Sequence, residues 1–369
     1  MTRRITPIWA AALSASALAF AGCGDDKDSS DAASTPASTP AATTGSVDFQ
    51  PIKDYLTDHT ERLTTATGEL AGQAQTYYDM AQAEGEENLL KGEHAQMTAD
   101  LVAAMQKSWR AANPAYEEME GVVAGVPSLA SYDNILDAGS SGEDPENAVP
   151  FDLTYADGTV LKKPGNYFFL TETSLWGSEP KFTVEGVKAD LNGDGKVEYG
   201  EALPRPEHIL AAAKGFDEQA KKLAKDAAAW QPTESDVFNA VVVMTPTMAE
   251  YFEAWKNSRF VAGDKASEAS FIGASRLGDI TGILTGLTVI YDGIKPKIGT
   301  EDPQTADQAG ENLTALLKYV EKLRDAEERG RKYTAEQADT YGTEAQKRAE
   351  AIAGQVSQAA DALNIEIEG

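Results

Sequence analysis

The chain has 369 residues, 42% of them hydrophobic, and a formal net charge of −27. That is enough for two ordinary domains or one large one with a sizeable core. The acidic balance excludes nucleic acid as an expected partner, because nothing basic is available to neutralise phosphates; it also weakens attraction to an anionic membrane surface and favours cations.

The first 22 residues read as a removable leader. "MTRRITPIWAAALSASALAFAGC" has a basic start at Arg3 and Arg4, then an apolar run of about a dozen residues, short for a spanning helix. It ends at Cys23, the only cysteine in the chain, which excludes an internal disulfide framework. "AFAGC" resembles a bacterial lipobox, with Phe20 where Leu is more usual, so Cys23 is the expected lipidation site; an ordinary signal peptide is the alternative. Residues 23–46 are Ser, Thr, Ala, Pro and Asp with almost nothing apolar, and read as a disordered tether. The folded part is expected over 47–365.

From residue 47 the helical period dominates. Phe49, Ile52, Tyr55, Leu56, Leu63 and Leu70 mark one face of a long first helix ending near "AEGEE". Met97, Leu101, Met105 and Trp109 continue the period in a second helix, which Pro114 is expected to kink or end. Residues 123–164 are rich in turn formers and read as an irregular insertion. Within them "FDLTYADGTVLKK" alternates about Asp157 and Gly158, as a small hairpin does. Helices are expected again at about 165–176, 205–229, 233–259, 266–292, 303–330 and 334–362. The fold class is therefore all-α: helical bundles, two tandem four-helix-type bundles, with the insertion carrying a hairpin and a calcium loop. A loose likeness between "MTADLVAAMQKSW" and "MTPTMAEYFEAW" suits a duplication.

The calcium loop is "DLNGDGKVEYGE", Asp190 to Glu201. Such a loop needs oxygen ligands at alternate positions, a sharp turn at the sixth residue and a bidentate carboxylate at the twelfth. Asp190, Asn192 and Asp194 stand first, third and fifth; Gly195 is sixth; Lys196 offers its carbonyl at the seventh; Glu198 is ninth and Glu201 twelfth. Pro204 and Pro206 delay the following helix, so the loop is EF-hand-like without the full helix pair. An Asp/Gly-rich surface turn is the plainer reading. If calcium binds, a structural clamp is expected rather than a switch.

Two further segments invite a site. In "GNYFFLTETSLWGSEP", Phe169 and Glu172 share one helical face and Trp176 lies a turn beyond. An acid beside a large aromatic either lines a pocket or sits ion-paired in a core. In "FIGASRLGDITGILTGLTVIYDGI", Ser275 and Asp279 share a face with Arg276 adjacent, either as pocket groups or as the polar edge of a bundle helix. Gly278, Gly282 and Gly286 recur every four residues; each weakens a helix by about 1 kcal/mol relative to Ala, so close helix packing is expected along that stripe.

These two segments resemble the imelysin-like family of bacterial envelope lipoproteins. Glu172, Leu175, Trp176 and Gly177 match the tail of its first signature, G-x-H-x-x-E followed by L-W-G. Ser275, Asp279, Tyr291 and Gly293 match its second. The resemblance implies a role in iron uptake, with iron or another transition metal as cofactor and metal-uptake proteins as partners. Phe169 replaces the family's histidine and can be neither ligand nor base. No H-E-x-x-H, Ser-His-Asp arrangement or P-loop occurs. His59 and His94 lie amid polar residues and are expected to be solvated.

The reading is thus a lipid-anchored, extracytoplasmic cell-envelope protein. It is expected to be a non-catalytic binding component with calcium in its loop and a pocket at Glu172, Trp176, Ser275, Arg276 and Asp279. A divergent metallopeptidase and a structural or adhesive surface protein are the alternatives.

Overall fold

The computed structural model describes residues 45–368 except Lys188 and Glu198. The leader, Cys23 and the tether up to residue 44 lie outside the described residues.

Helix α1 (Gln50–Glu84) takes Pro51 in its first turn, buries Ile52, Leu56, Leu63, Leu70 and Tyr77, and stops at Gly85, where φ is 83°. Helix α2 (His94–Val123) does not end at Pro114 but runs through it. Residues 115–117 and 119–123 are buried, much of that run against a later helix, and this packing outweighs the lost hydrogen bond. Met97, expected on the inner face, is 53% exposed. Thr98 takes the inward place and donates to Leu89 O at 2.7 Å. His59, expected in solvent, is buried, its Nε2 2.6 Å from Glu118 Oε2 and its Nδ1 2.7 Å from Tyr55 O.

The irregular stretch after α2 contains a helical turn, α3 (Ala130–Asp133), continued by a wider turn at Asn134–Ala138. A hairpin follows, β1 (Leu153–Thr154) antiparallel to β2 (Val160–Leu161). Then come α4 (Tyr167–Trp176) and α5 (Pro206–Ala229). The helix expected over 233–259 is broken. Pro246 has no N–H to donate, and α6 (Glu234–Met244) gives way there to a tight turn before α7 (Met248–Asn257) and α8 (Arg259–Ala262). The helix expected from 266 begins ten residues later, as α9 (Arg276–Ile298), and α10 (Pro303–Glu328) and α11 (Ala335–Leu363) complete the chain.

The architecture is all-α apart from the hairpin. α1 packs between α2 and α5, and α4 against α5, forming one helix group. α10, α11, α6 and α7 form another, and the two share the seam between α2 and α9. By length and composition α9 could cross a membrane, but here it is a core helix with 67% of its most apolar window buried. Two glycines let α2 approach it. A Cβ at Gly282 would sit 3.2 Å from Glu117 Cβ, and one at Gly286 would sit 2.1 Å from Glu118 O. Gly278, the third of the stripe, has nothing within 4 Å of that position.

Candidate functional site

Asn166 starts α4 by accepting from Phe169 N at 2.7 Å, and Gly177 ends it in the left-handed conformation. This short helix is buried on nearly every side and points Glu172 at the segment before α9. The Glu172 carboxylate accepts three backbone N–H groups: Phe271 at 3.0 Å, Ile272 at 2.8 Å and Gly273 at 2.9 Å. Those three donors are therefore not spent on helical bonds, and Ser267 and Glu268 give theirs to Asn257 O, so residues 266–275 are not helix. Phe271 is held at a φ of 57°, unusual for a bulky residue. Burial pushes the Glu172 carboxyl up to about 8, against the downward pull of the three N–H bonds.

Trp176 packs edge-on to Trp109 at 5.2 Å, under the Arg110 guanidinium at 4.9 Å. A Cβ at Gly273 would fall 2.8 Å from the Trp176 ring, so only glycine lets this segment pass. Phe169, in the place of the family histidine, is a half-buried ring against Phe182.

Ser275 caps α9, its Oγ accepting from Leu277 N at 3.4 Å. The next residue, Arg276, is buried. Its Nη1 lies 3.4 Å from Glu117, 3.3 Å from Asp279 and 3.9 Å from Asp137. Its guanidinium lies between the rings of Tyr251 at 4.4 Å and Phe271 at 4.6 Å. Around it stand more acids than one cation can neutralise: Glu117 and Glu120 from α2, Asp133 and Asp137 from the turn after it, and Asp279 from α9. Asn113 donates to Glu117 at 3.0 Å, Tyr116 to Asp133 at 2.7 Å and Tyr251 to Glu120 at 2.8 Å. Burial raises Asp279 to about 6 and Asp137 to about 7, against the pull of Arg276. Burial and the neighbouring carboxylates push Glu117 and Asp133 well above the carboxylate range.

One oxygen each from Glu117, Glu120 and Asp137 lie within 4.8 Å of one another. Glu120, 3% exposed, leaves its Oε2 without a hydrogen-bond partner, and Arg276 Nε also has none. An unpaired buried oxygen in an acid excess fits a multivalent cation, and an all-carboxylate donor set suits a hard one. Beside the cluster opens a cleft of about 640 Å³ bounded by α2, α9 and α10, and Glu117 and Asp279 reach it.

Comparison with known proteins decides the kinship. A family model described as imelysin, peptidase M75, matches residues 53–361. The chain belongs to the imelysin family. No curated protein matches it. Among solved structures, a Parabacteroides distasonis protein provisionally described as an iron-regulated protein A precursor is 12% identical. That match covers 87% of this chain and 98% of the other, with a TM-score of 0.45.

In this imelysin, the residues singled out by sequence fall in one region. Glu172 and Trp176 face the segment leading into Ser275, Arg276 and Asp279. Sequence reasoning missed Glu117, Glu120, Asp133 and Asp137. The i, i+3 pair in "YEEMEG" was the available signal, but a helix expected to kink or end at Pro114 gives those residues no common face.

The loop after α4 is closed by hydrogen bonds from its own backbone to its side chains. Asp190 Oδ1 accepts from Gly193 and Asp194 N–H at 2.8 and 3.2 Å, and its Oδ2 from Gly195 at 2.8 Å. Asn192 accepts from Asp194, and Asp194 from Lys196, each at 2.8 Å. Glu201 Oε1 accepts from Asn192 N at 3.0 Å, closing the turn between its third and twelfth positions. Gly193 and Gly195 have φ of 75° and 86°. Glu198 lies outside the described residues. The loop also touches the site. Gln106 donates to Gly200 O at 2.9 Å and Leu175 O at 3.0 Å, and Arg259 stacks on Tyr199 at 3.4 Å.

Proposed function

We propose that this imelysin is a non-catalytic, extracytoplasmic binding component for a hard multivalent cation, serving metal acquisition. It would be held to the membrane by a lipid on Cys23 and stiffened by calcium in the 190–201 loop. The observation that carries the reading is the set of buried Glu117 and Glu120 with partly buried Asp137, and the unpartnered Glu120 Oε2 inside an acid excess. These carboxylates would hold the cation, and the cation would supply the charge that Arg276 alone does not.

Catalysis is disfavoured on two observations. Glu172 spends three of its acceptor sites on backbone N–H groups and serves as a structural clamp. The neighbouring family position is the hydrocarbon ring of Phe169. The calcium part of the reading is supported by the loop's oxygen donors, since Asp190, Asn192, Asp194 and Glu201 each accept a backbone N–H within one turn.

Equilibrium dialysis of the full chain against Mn²⁺ and Fe³⁺, followed by elemental analysis, tests the reading. The wild type is expected to retain one equivalent beside calcium, and Glu120→Gln to lose it while keeping calcium. A wild type that retains calcium alone overturns the cation reading.

A further inference from the structure

We infer that the cleft beside the carboxylate cluster is a binding site for a small organic polyanion that shares the cation, so that the protein takes up a metal chelate rather than a bare ion. The inference rests on the cation reading of the cluster. Its first support is Gly278. Gly282 and Gly286 are accounted for by the approach of α2, since a Cβ at either meets Glu117 or Glu118. At Gly278 a Cβ would meet nothing within 4 Å. A glycine inside a helix weakens it, and here no neighbouring chain requires one. What a side chain at 278 would occupy is the cleft, which Gly278 lines. At about 640 Å³ the cleft has the size of a small-molecule site.

The second support is the charge left over once partners are assigned. Most acids lining the cleft are engaged within the protein. Glu117 and Asp279 face Arg276. Glu118 is held by His59 and Arg62. Glu327 accepts from Trp255 Nε1 at 2.9 Å, and Glu328 lies 3.7 Å from Arg324. Glu321 is the exception. Of the three cations lining the cleft, Arg324 is held by Asp325 at 2.8 Å. Arg110 gives Nε to Gly273 O at 3.1 Å and has no carboxylate partner. Lys332 makes no hydrogen bond or ion pair with a described residue. In a chain of net charge −27, two cations without an ion pair to a described residue, from separate elements, line one cleft that the buried carboxylates of Glu117 and Asp279 also reach. Three protein carboxylates also leave positions on a six- to eight-coordinate hard cation for oxygens of a second ligand. Carboxylates of such a ligand would meet the cation at one end and Arg110 and Lys332 at the other.

The test uses the full chain with Mn²⁺, and radiolabelled citrate and nitrilotriacetate as probe chelators. Wild type is expected to retain one chelator per protein only when the cation is present. Gly278→Phe should keep the cation and lose chelator retention at least tenfold. Lys332→Glu should weaken it in the same direction, while retained cation and an unchanged circular dichroism spectrum show that both variants are folded. If wild type binds the cation but retains neither chelator, or if Gly278→Phe retains them as wild type does, the chelate inference is overturned alone. If wild type retains no cation under any condition, the cluster reading falls and this inference with it.

Discussion

Glu172 and Ile272 stand 100 residues apart in the chain and are joined by a 2.8 Å hydrogen bond from the Ile272 N–H to Glu172 Oε1. Phe271 and Gly273 donate to the same carboxylate, so one side chain of α4 fixes the entry to α9. Replacing Glu172 with Ala leaves three N–H groups without their acceptor; at about 1–3 kcal/mol for each buried unsatisfied group, the loss should be at least about 3 kcal/mol. Glu172→Gln keeps one acceptor oxygen and should lose less. Urea unfolding measures the difference, and hydrogen exchange should quicken first over residues 266–275. Exchange there at the wild-type rate would mean that the clamp does not hold the segment.

The glycine stripe of α9 should split under alanine substitution. Gly286→Ala drives a methyl group to 2.1 Å from Glu118 O and should destabilise by about 1–3 kcal/mol through overpacking of the α2–α9 seam. Gly278→Ala enters open space and should stabilise by up to about 1 kcal/mol. Paired thermal melts decide this; equal and opposite shifts from expectation would reverse the roles assigned to the two positions.

That stripe also marks how far the sequence could be read. Three glycines at a spacing of four announce a close helix contact, but not which of them meets the neighbour, because the partner is fixed only by the tertiary fold. Helix existence was legible from the 3.6-residue period of residues such as Ile52, Leu56, Leu63 and Leu70. Breaks were not. Pro246 interrupts one expected helix, and residues 266–275 leave another, with the N–H groups of Phe271, Ile272 and Gly273 serving a carboxylate about a hundred positions away and those of Ser267 and Glu268 serving Asn257 O. Pro114 misled in the opposite direction, since packing carries α2 through it. The cost was the pair Glu117 and Glu120, which gain meaning only on a continuous helix beside the Asp137 turn.

His208 should make stability fall with acid. It is buried, stacked on Phe182 at 3.9 Å and hydrogen-bonded to Tyr155 Oη and Leu170 O, and burial lowers it to about 4 from an ordinary 6.5. Between those values the unfolded chain takes up a proton that the native state refuses. Stability therefore rises with pH through this window, is fully present above about 6.5 and is diminished by about 3 kcal/mol near pH 4. Raised carboxylates act in the opposite sense, so the difference between wild type and His208→Asn isolates the histidine. Urea unfolding at pH 7 and pH 5 should show a gap that narrows as pH falls; a constant gap would assign the residue a pH-independent packing role.

Calcium should stabilise the protein through the loop and be felt at Trp176. A Cβ on Gly200 would lie 3.1 Å from the indole, and Gln106 ties the Gly200 and Leu175 carbonyls together. At a hundredfold excess over the dissociation constant, one calcium site contributes about 2.7 kcal/mol. Asp190→Ala removes the acceptor of three loop N–H groups and should abolish both the calcium-dependent rise in melting temperature and the change in tryptophan fluorescence. A rise that survives Asp190→Ala would locate the ion elsewhere.

Arg276 gives the sharpest test of the buried acids. It is the one guanidinium within 4 Å of Glu117, Asp137 and Asp279 among the described residues. Arg276→Met fills a similar volume without the charge and leaves those carboxylates uncompensated, so it should cost about 3–5 kcal/mol near neutral pH. The sign of the pH dependence follows from the raised acids. Their native forms hold protons that the unfolded chain has already released, so the variant loses stability as pH rises above the ordinary carboxylate range and recovers it as pH falls towards 5. A multivalent cation in the same cluster should replace the missing charge. Urea unfolding at pH 5 and 7.5, with and without Mn²⁺, therefore has a distinctive expected pattern: the deficit is largest at pH 7.5 without metal and shrinks with either acid or Mn²⁺. A deficit that ignores both would make Arg276 a packing residue between Tyr251 and Phe271, and would remove the electrostatic ground for a cation beside it.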